Sequence, residues 1–287
     1  MRRVLQMVTL AVLGCLCAAA AASGQDAPDA GRRFDYPRPT GRFQVGTSYL
    51  FLVDSTRHDA FSGDPDDYRW ISVRVWYPVD PPGSATPVPY GDDEFNRRMV
   101  AEGVFDSTFL AEVALQPSAS YRDAPFASQG APFPILVFSS SGVMTANVFL
   151  SEELASHGYV VFAVGHPYWC EFYFDGDGGL FFLDKSNPHY VALWEEEDAL
   201  STIQTKAQIT RSTDVAEKMA LFRELNRLMP TEVADLALWS GDVEFLIDRL
   251  VELNARDGLC RGRLDTERIG IIGYSKGGAN AAQVGLI

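Results

Sequence analysis

A chain of 287 residues with 47% apolar content has material for a sizeable core and falls outside the disordered class. Its formal net charge of −14 gives a surface that repels phosphate backbones, which argues against nucleic acid as a partner. The four cysteines, at positions 15, 17, 170 and 260, are too few to frame a disulfide scaffold.

Residues 1–24 have a leader's anatomy: Arg2 and Arg3, an apolar stretch over 4–16, then a small-residue run over 18–24. The stretch is short for a membrane span, and predicts a cleaved signal peptide with export to a secreted or periplasmic location. Val12-Leu13-Gly14-Cys15 resembles a lipoprotein cleavage box that would put a lipid on Cys15, but the apolar LCAAAAA after it is a poor tether, so this is the weaker reading. Without the leader, 22 basic residues face 38 acidic ones, a balance of −16. Cys170 and Cys260 are then the cysteines left, enough for one internal disulfide at most. Residues 25–41, QDAPDAGRRFDYPRPTG, are polar and rich in Pro and Gly, and read as a linker.

From 42 to 287 the pattern is that of one folded domain. FQVGTSYLFLVD (43–54) and RWISVRVWYPVD (69–80) place β-branched and aromatic residues at alternate positions, predicting two strands joined through a hairpin loop. FPILVFSS (133–140) and YVVFAVG (159–165) are continuous apolar runs of the kind buried on both faces of a parallel sheet. ANVFLSEELASHG (146–158) between them has helical spacing and an αL stop at Gly158, which completes a βαβ unit. A long amphipathic helix is predicted over 231–258, opened by Thr231, and a further buried strand, RIGIIGY, over 268–274. The order predicts an α/β fold with a mostly parallel sheet and antiparallel leading strands. Segment 168–230 is irregular, with an aromatic cluster at its start and a polar helix over 213–228, and reads as a lid or pocket insertion. DGDGG (175–179) invites comparison with a calcium loop, but Gly179 and Ser186 stand where ligands are needed.

Gly273-Tyr274-Ser275-Lys276-Gly277 follows the last strand directly. A glycine-flanked serine between a strand and a helix is the arrangement of a nucleophile elbow. Side chains at Gly273 and Gly277 would collide with backbone in so tight a turn. The turn leaves the Ser275 hydroxyl exposed at the sheet's carboxyl edge and aims the Lys276 N–H at the position of an oxyanion. The loop after strand 133–140 is the expected source of the second donor, with Gly142 or Val143 as the candidates. Ser139, Ser140 and Ser141 capping the next helix is the competing reading of that loop, and the two are compatible.

FPILVFSSSG, LASHGYVVFAVGHP and LDTERIGIIGYSKGG, with VGTSYLFLVDSTR and ISVRVWYPVD upstream, resemble the secreted platelet-activating factor acetylhydrolases and their bacterial relatives among the α/β-hydrolases. The likeness spans most of 43–287 and is weakest over 168–230. It implies an α/β-hydrolase fold and a serine esterase acting on short or oxidised acyl chains of phospholipids, or on other small esters, with no metal or cofactor. By position, Ser275 is then the nucleophile and Lys276 N–H an oxyanion donor. Two departures stand out: Ser140-Ser141 where the family usually has His-Gly or Pro-Gly, and Tyr274 where a His often precedes the nucleophile.

In this fold the acid and the histidine follow the serine in chain order, and KGGANAAQVGLI after Ser275 contains no Asp, Glu or His. The expectation is a hydrolase that lacks its C-terminal strands and triad partners and is nearly inactive as it stands. Of the upstream histidines, His58, His157, His166 and His189, His166 is the one whose strand brings it to the carboxyl edge, where it is a candidate substitute base or pocket residue, though a structural loop residue before Pro167 is the favoured reading. Tyr168, Trp169 and Phe172 begin an aromatic cluster that supplies an apolar acyl pocket, a lipid-facing rim, or a lid packed on itself. The alternative to an esterase is an exported binding protein that keeps the elbow as scaffold. Nucleotide binding through GIIGYSKGG fails on glycine spacing. Oligomeric state is not legible.

Overall fold

The computed structural model describes residues 36–62, 64–81, 83–90, 100–101, 116–140, 147–169, 172–174, 180–182, 185–256 and 258–286. All belong to the compact unit Tyr36–Ile287, while the leader, Cys15 and the first part of the linker belong to Met1–Asp35, outside the described residues. Cys170, the 175–179 aspartates, Gly142 and Val143 also lie outside them.

Six strands form the main sheet: β1 (Gln44–His58), β2 (Tyr68–Val79), β3 (Ser120–Arg122), β4 (Phe133–Ser140), β5 (Val160–Gly165) and β8 (Leu264–Tyr274), in the order β3-β1-β2-β5-β4-β8. β4 pairs in parallel with β5 and with β8, and β3 with β1, whereas β2 is antiparallel to both β1 and β5. The antiparallel character expected of both leading strands therefore rests on β2 alone. β6 (Phe172–Phe174) and β7 (Leu180–Phe182) form a separate two-stranded ribbon.

The period of two decides which face each residue covers. Ile71, Val73, Val75 and Tyr77 of β2, Ile135 and Val137 of β4, and Val160 and Phe162 of β5 share one core with Val243, Leu246 and Leu250. These last three come from the long helix α5 (Pro230–Arg256). The intervening residues Trp76, Phe138, Val161 and Ala163 turn to the other face, where Val148 and Ala155 of α1 (Val148–Ser156) cover them. α1 ends as expected: His157 follows it, and Gly158 takes φ +98°. α5 opens one residue earlier than the sequence suggests, because Pro230 suits the first helical position, where no amide hydrogen is required.

Among the described residues, three helices occupy the insertion: α2 (Pro188–Asp198), α3 (Leu200–Arg211) and α4 (Val215–Leu228). Only α4 matches an expected element. The last helix, α6 (Lys276–Val284), follows β8 after a single residue. Residues 36–41, part of the expected linker, are held to the domain. The Thr40 N–H donates to Glu153 at 2.7 Å, Gly41 N–H to Ser156 Oγ at 3.0 Å, and Tyr36 stacks on Tyr90.

Gly158→Ala is expected to lower stability by about 1 kcal/mol, since an L side chain is strained at positive φ; urea unfolding of the two proteins measures the difference.

Candidate active site

The strand-to-helix turn carries Ser275 with φ +56° and ψ −126°, a conformation L residues seldom hold unless the surroundings enforce it. The surroundings are two glycines. A Cβ on Gly273 would overlap the Gly277 carbonyl, and one on Gly277 would overlap the Ser139 carbonyl at the end of β4. The turn therefore closes only with hydrogen at both positions, and Ser275 is left exposed at its apex. Helix α6 begins at once: Gly278 N–H bonds the Ser275 carbonyl at 2.9 Å. The N–H groups that precede it, Lys276 first, have no carbonyl to bond within their helix and stand at its positive end. A helix terminus of this kind is able to hold a negatively charged oxygen.

Below the turn runs a buried polar chain. Asp242 on α5 is wholly buried and receives four hydrogen bonds: Arg57 Nη2 at 3.1 Å, Arg69 Nε at 3.0 Å and Nη2 at 2.7 Å, and His166 Nδ1 at 2.9 Å. Burial alone would favour the protonated acid. The Arg69 charge and the bonds from His166 and Arg69 outweigh it and hold the Asp242 carboxyl well below its usual range. An ionised carboxylate only accepts, so the proton of His166 sits on Nδ1. Nε2 then accepts from the Ser139 hydroxyl at 3.1 Å, and the Ser139 oxygen accepts from Asn280 Nδ2 at 3.0 Å. Ser240 donates to the Asn280 carbonyl at 2.8 Å. The chain of hydrogen bonds thus runs unbroken from Asp242 on α5 to Asn280 on α6. Trp239 stacks on His166 at 4.2 Å.

This Ser139-His166-Asp242 sequence has the order of a catalytic triad but lies in the interior, each residue essentially inaccessible to solvent. Burial also keeps the imidazole neutral by lowering its pKa, against the pull of Asp242. His166 is therefore enclosed in the support of the turn and does not line a substrate pocket. The helix-capping role considered for Ser139 fails too. Ser139 and Ser140 are in β4, and Asn147, which precedes α1, makes no side-chain cap bond.

Beside the turn, the Lys276 ammonium lies 2.8 Å from Glu232 Oε2, 3.3 Å from Asp235 Oδ2, and 4.2 and 4.9 Å above the Trp169 and Trp239 rings. Asp235 also accepts from His189 Nε2 at 2.5 Å. Burial raises the Asp235 pKa despite these two partners. Tyr168, at φ +70°, packs its ring against Phe61 at 4.8 Å, and Trp169 meets His189 and Tyr190. Phe172 opens β6. Among the described residues, no group of three or more His, Cys, Asp or Glu side chains could hold a metal ion.

The sequence reading found the turn but missed its supports. The signal lay in the α5 stripe: Asp235, Trp239, Asp242, Val243, Leu246 and Leu250 recur at helical spacing and are all buried, so two of its aspartates fall where apolar residues are expected.

A six-stranded, mostly parallel sheet covered by helices on both faces, with a strained serine at a strand-helix corner, defines an α/β-hydrolase. Over residues 32–285 the chain matches the family described as platelet-activating factor acetylhydrolase, isoform II, and it belongs to that family. Among solved structures it is similar to a ferulic acid esterase from Streptomyces cinnamoneus, with 25% identity and a TM-score of 0.55, over 86% of this chain and 57% of that one. The chain thus spans little more than half the length of that relative. No curated protein matches it.

Two outcomes follow from this geometry. Gly277→Ala should lower stability by about 2 to 3 kcal/mol, because β4 and α6 must part to admit a methyl group; calorimetry reads it. His166 has a lowered folded pKa, so the unfolded chain binds the extra proton, and stability is lost as pH falls below the ordinary histidine value of about 6.5. Relative to His166→Asn, the unsubstituted protein should lose up to about 1.4 kcal/mol per pH unit below that value until the folded pKa is reached. Melting temperatures of both proteins from pH 7 to 5 measure the slope.

Proposed function

We propose that this protein is a serine ester hydrolase of the platelet-activating factor acetylhydrolase type, which removes short or oxidised acyl chains from phospholipids or cleaves small esters through an acyl-enzyme. The observation that carries the reading is Ser275 itself, exposed and strained at φ +56° on a turn that only glycine neighbours permit. Family membership and likeness to an esterase support ester cleavage.

In the proposed reaction the Ser275 oxygen attacks the ester carbonyl. The carbonyl oxygen gains the charge and is held by the Lys276 N–H at the helix terminus, and collapse of the tetrahedral species breaks the ester C–O bond and expels the alcohol, which takes the proton given up by the Ser275 hydroxyl. Water then hydrolyses the acyl-serine. A serine needs a base, and His166, the histidine behind the turn, is buried with both ring nitrogens taken, Nδ1 by Asp242 and Nε2 by Ser139. By itself this chain is therefore a slow catalyst, with oxyanion stabilisation and binding supplying roughly 10³ to 10⁴ over water.

Peripheral contact with a lipid surface is part of the proposal. Val215, Met219 and Phe222 lie at i, i+4 and i+7 on one exposed face of α4, and Leu200, Ile203 and Trp194 are exposed on α3 and α2. The leader supports export, and no nucleic acid or metal is required.

Prolonged incubation with a fluorophosphonate, followed by peptide mapping, tests the central point. Covalent label on Ser275, absent in Ser275→Ala, is expected. Label at another residue would contradict the assignment, and no label at all would favour the non-catalytic binding protein.

A further inference from the structure

We propose that the Lys276 side chain is a positioning group for its own main-chain amide, and that through it the first helix of the insertion, α2, helps hold the nucleophile turn. The inference rests on the esterase reading insofar as that amide is the oxyanion donor; the structural link stands apart from it.

Lys276 is the residue after the nucleophile, so its peptide and its ammonium are two ends of one restraint. Only 13% of the side chain is accessible, whereas a lysine with nothing to bind keeps its ammonium in water. Its partners come from two places: Trp169 from the loop after β5, and Glu232, Asp235 and Trp239 from the first part of α5. Two carboxylates and two ring faces converge on one charge, which fixes four rotatable bonds and with them the start of α6.

The second link runs outward. Asp235 is fully buried and offers Oδ2 to Lys276 and Oδ1 to His189 Nε2. His189 is the second residue of α2, and its N–H bonds Asn187 Oδ1 at 3.0 Å, so ring and helix terminus are set together. Trp169 closes the circuit, carrying the ammonium over its ring while meeting the His189 ring edge-on, centroids 5.6 Å apart. Lys276, Asp235, His189 and Trp169 thus form a ring of four contacts joining α6, α5, α2 and the loop after β5. If Lys276 or His189 is lost, Asp235 is left as a buried carboxylate with a missing partner, which forces the others to move. The amide that faces the oxyanion lies on this ring.

The chain has four lysines, at 185, 206, 218 and 276, and Ser275-Lys276 is its one Ser-Lys step. Labelling lysine with ¹⁵N and serine with ¹³C at the carbonyl therefore assigns the Lys276 amide resonance without any substitution. In His189→Phe, which keeps an aromatic ring but removes the bond to Asp235, the Lys276 amide is expected to shift while those of Lys206 and Lys218 stay in place. In steady-state hydrolysis of p-nitrophenyl acetate, Lys276→Met should lower kcat by about tenfold with KM unchanged, and Lys276→Arg should recover most of the loss. An unmoved Lys276 amide in His189→Phe, or a Lys276→Met defect confined to KM, would overturn the proposal. A wild-type protein that fails to turn over the ester would count against the esterase reading, and the resonance shift would still decide whether the link exists.

Discussion

A single buried carboxylate organises the carboxyl edge of the sheet. Asp242 is enclosed on α5 and takes hydrogen bonds from Arg57 at the end of β1, Arg69 at the start of β2, and His166 after β5. An ion placed there without partners would carry a desolvation cost of several kcal/mol. With four donors it stays ionised, and the elements bearing those donors have one arrangement in which the charge is satisfied. Burial of apolar surface brings α5 onto the sheet without fixing its rotation or slide; the carboxylate does so.

The consequence reaches the Ser275 turn through side chains whose donors and acceptors are fixed in sequence. Because Asp242 only accepts, His166 must donate from Nδ1 and accept at Nε2. Ser139 must then donate to His166, which leaves its oxygen to receive Asn280. Asn280 sits one turn into α6, and Gly277 of the same helix rests against the Ser139 carbonyl. β4 and α6 are thereby joined twice, once by a hydrogen bond and once by close backbone contact, and the strained Ser275 backbone is held between them. Lys276 adds a third tie on the outer side, to α5 and the insertion. A serine at positive φ persists only if its surroundings over-determine it, and these ties do so.

Much of this was legible in the sequence where a period or a steric rule was strong. The alternation in β2, the apolar runs of β4 and β5 and the glycines around Ser275 each have one reading, and β4 falls on the expected residues 133–140. The insertion was less legible for a physical reason. α2 buries none of its residues and α3 buries only Thr202 and Thr205, so neither has an apolar stripe to recognise. The polar chain was hidden differently. Arg69, Asp242 and Ser139 stand at core positions of well-predicted elements, and what they bond is decided by residues far away in the chain. Only the unexpected polarity of the α5 stripe marked the place. Gly142 and Val143, the candidates for the second oxyanion donor, lie outside the described residues.

The dependence on Asp242 can be measured by a double-mutant cycle with Arg69, using Arg69→Met, Asp242→Leu and the pair of substitutions together. Each single change strands a buried charge and should cost about 3 to 5 kcal/mol in denaturant unfolding. The double variant removes both charges and should be destabilised by far less than the sum. Additive losses would show that the two residues act independently, and would contradict a carboxyl edge organised by the Asp242 charge.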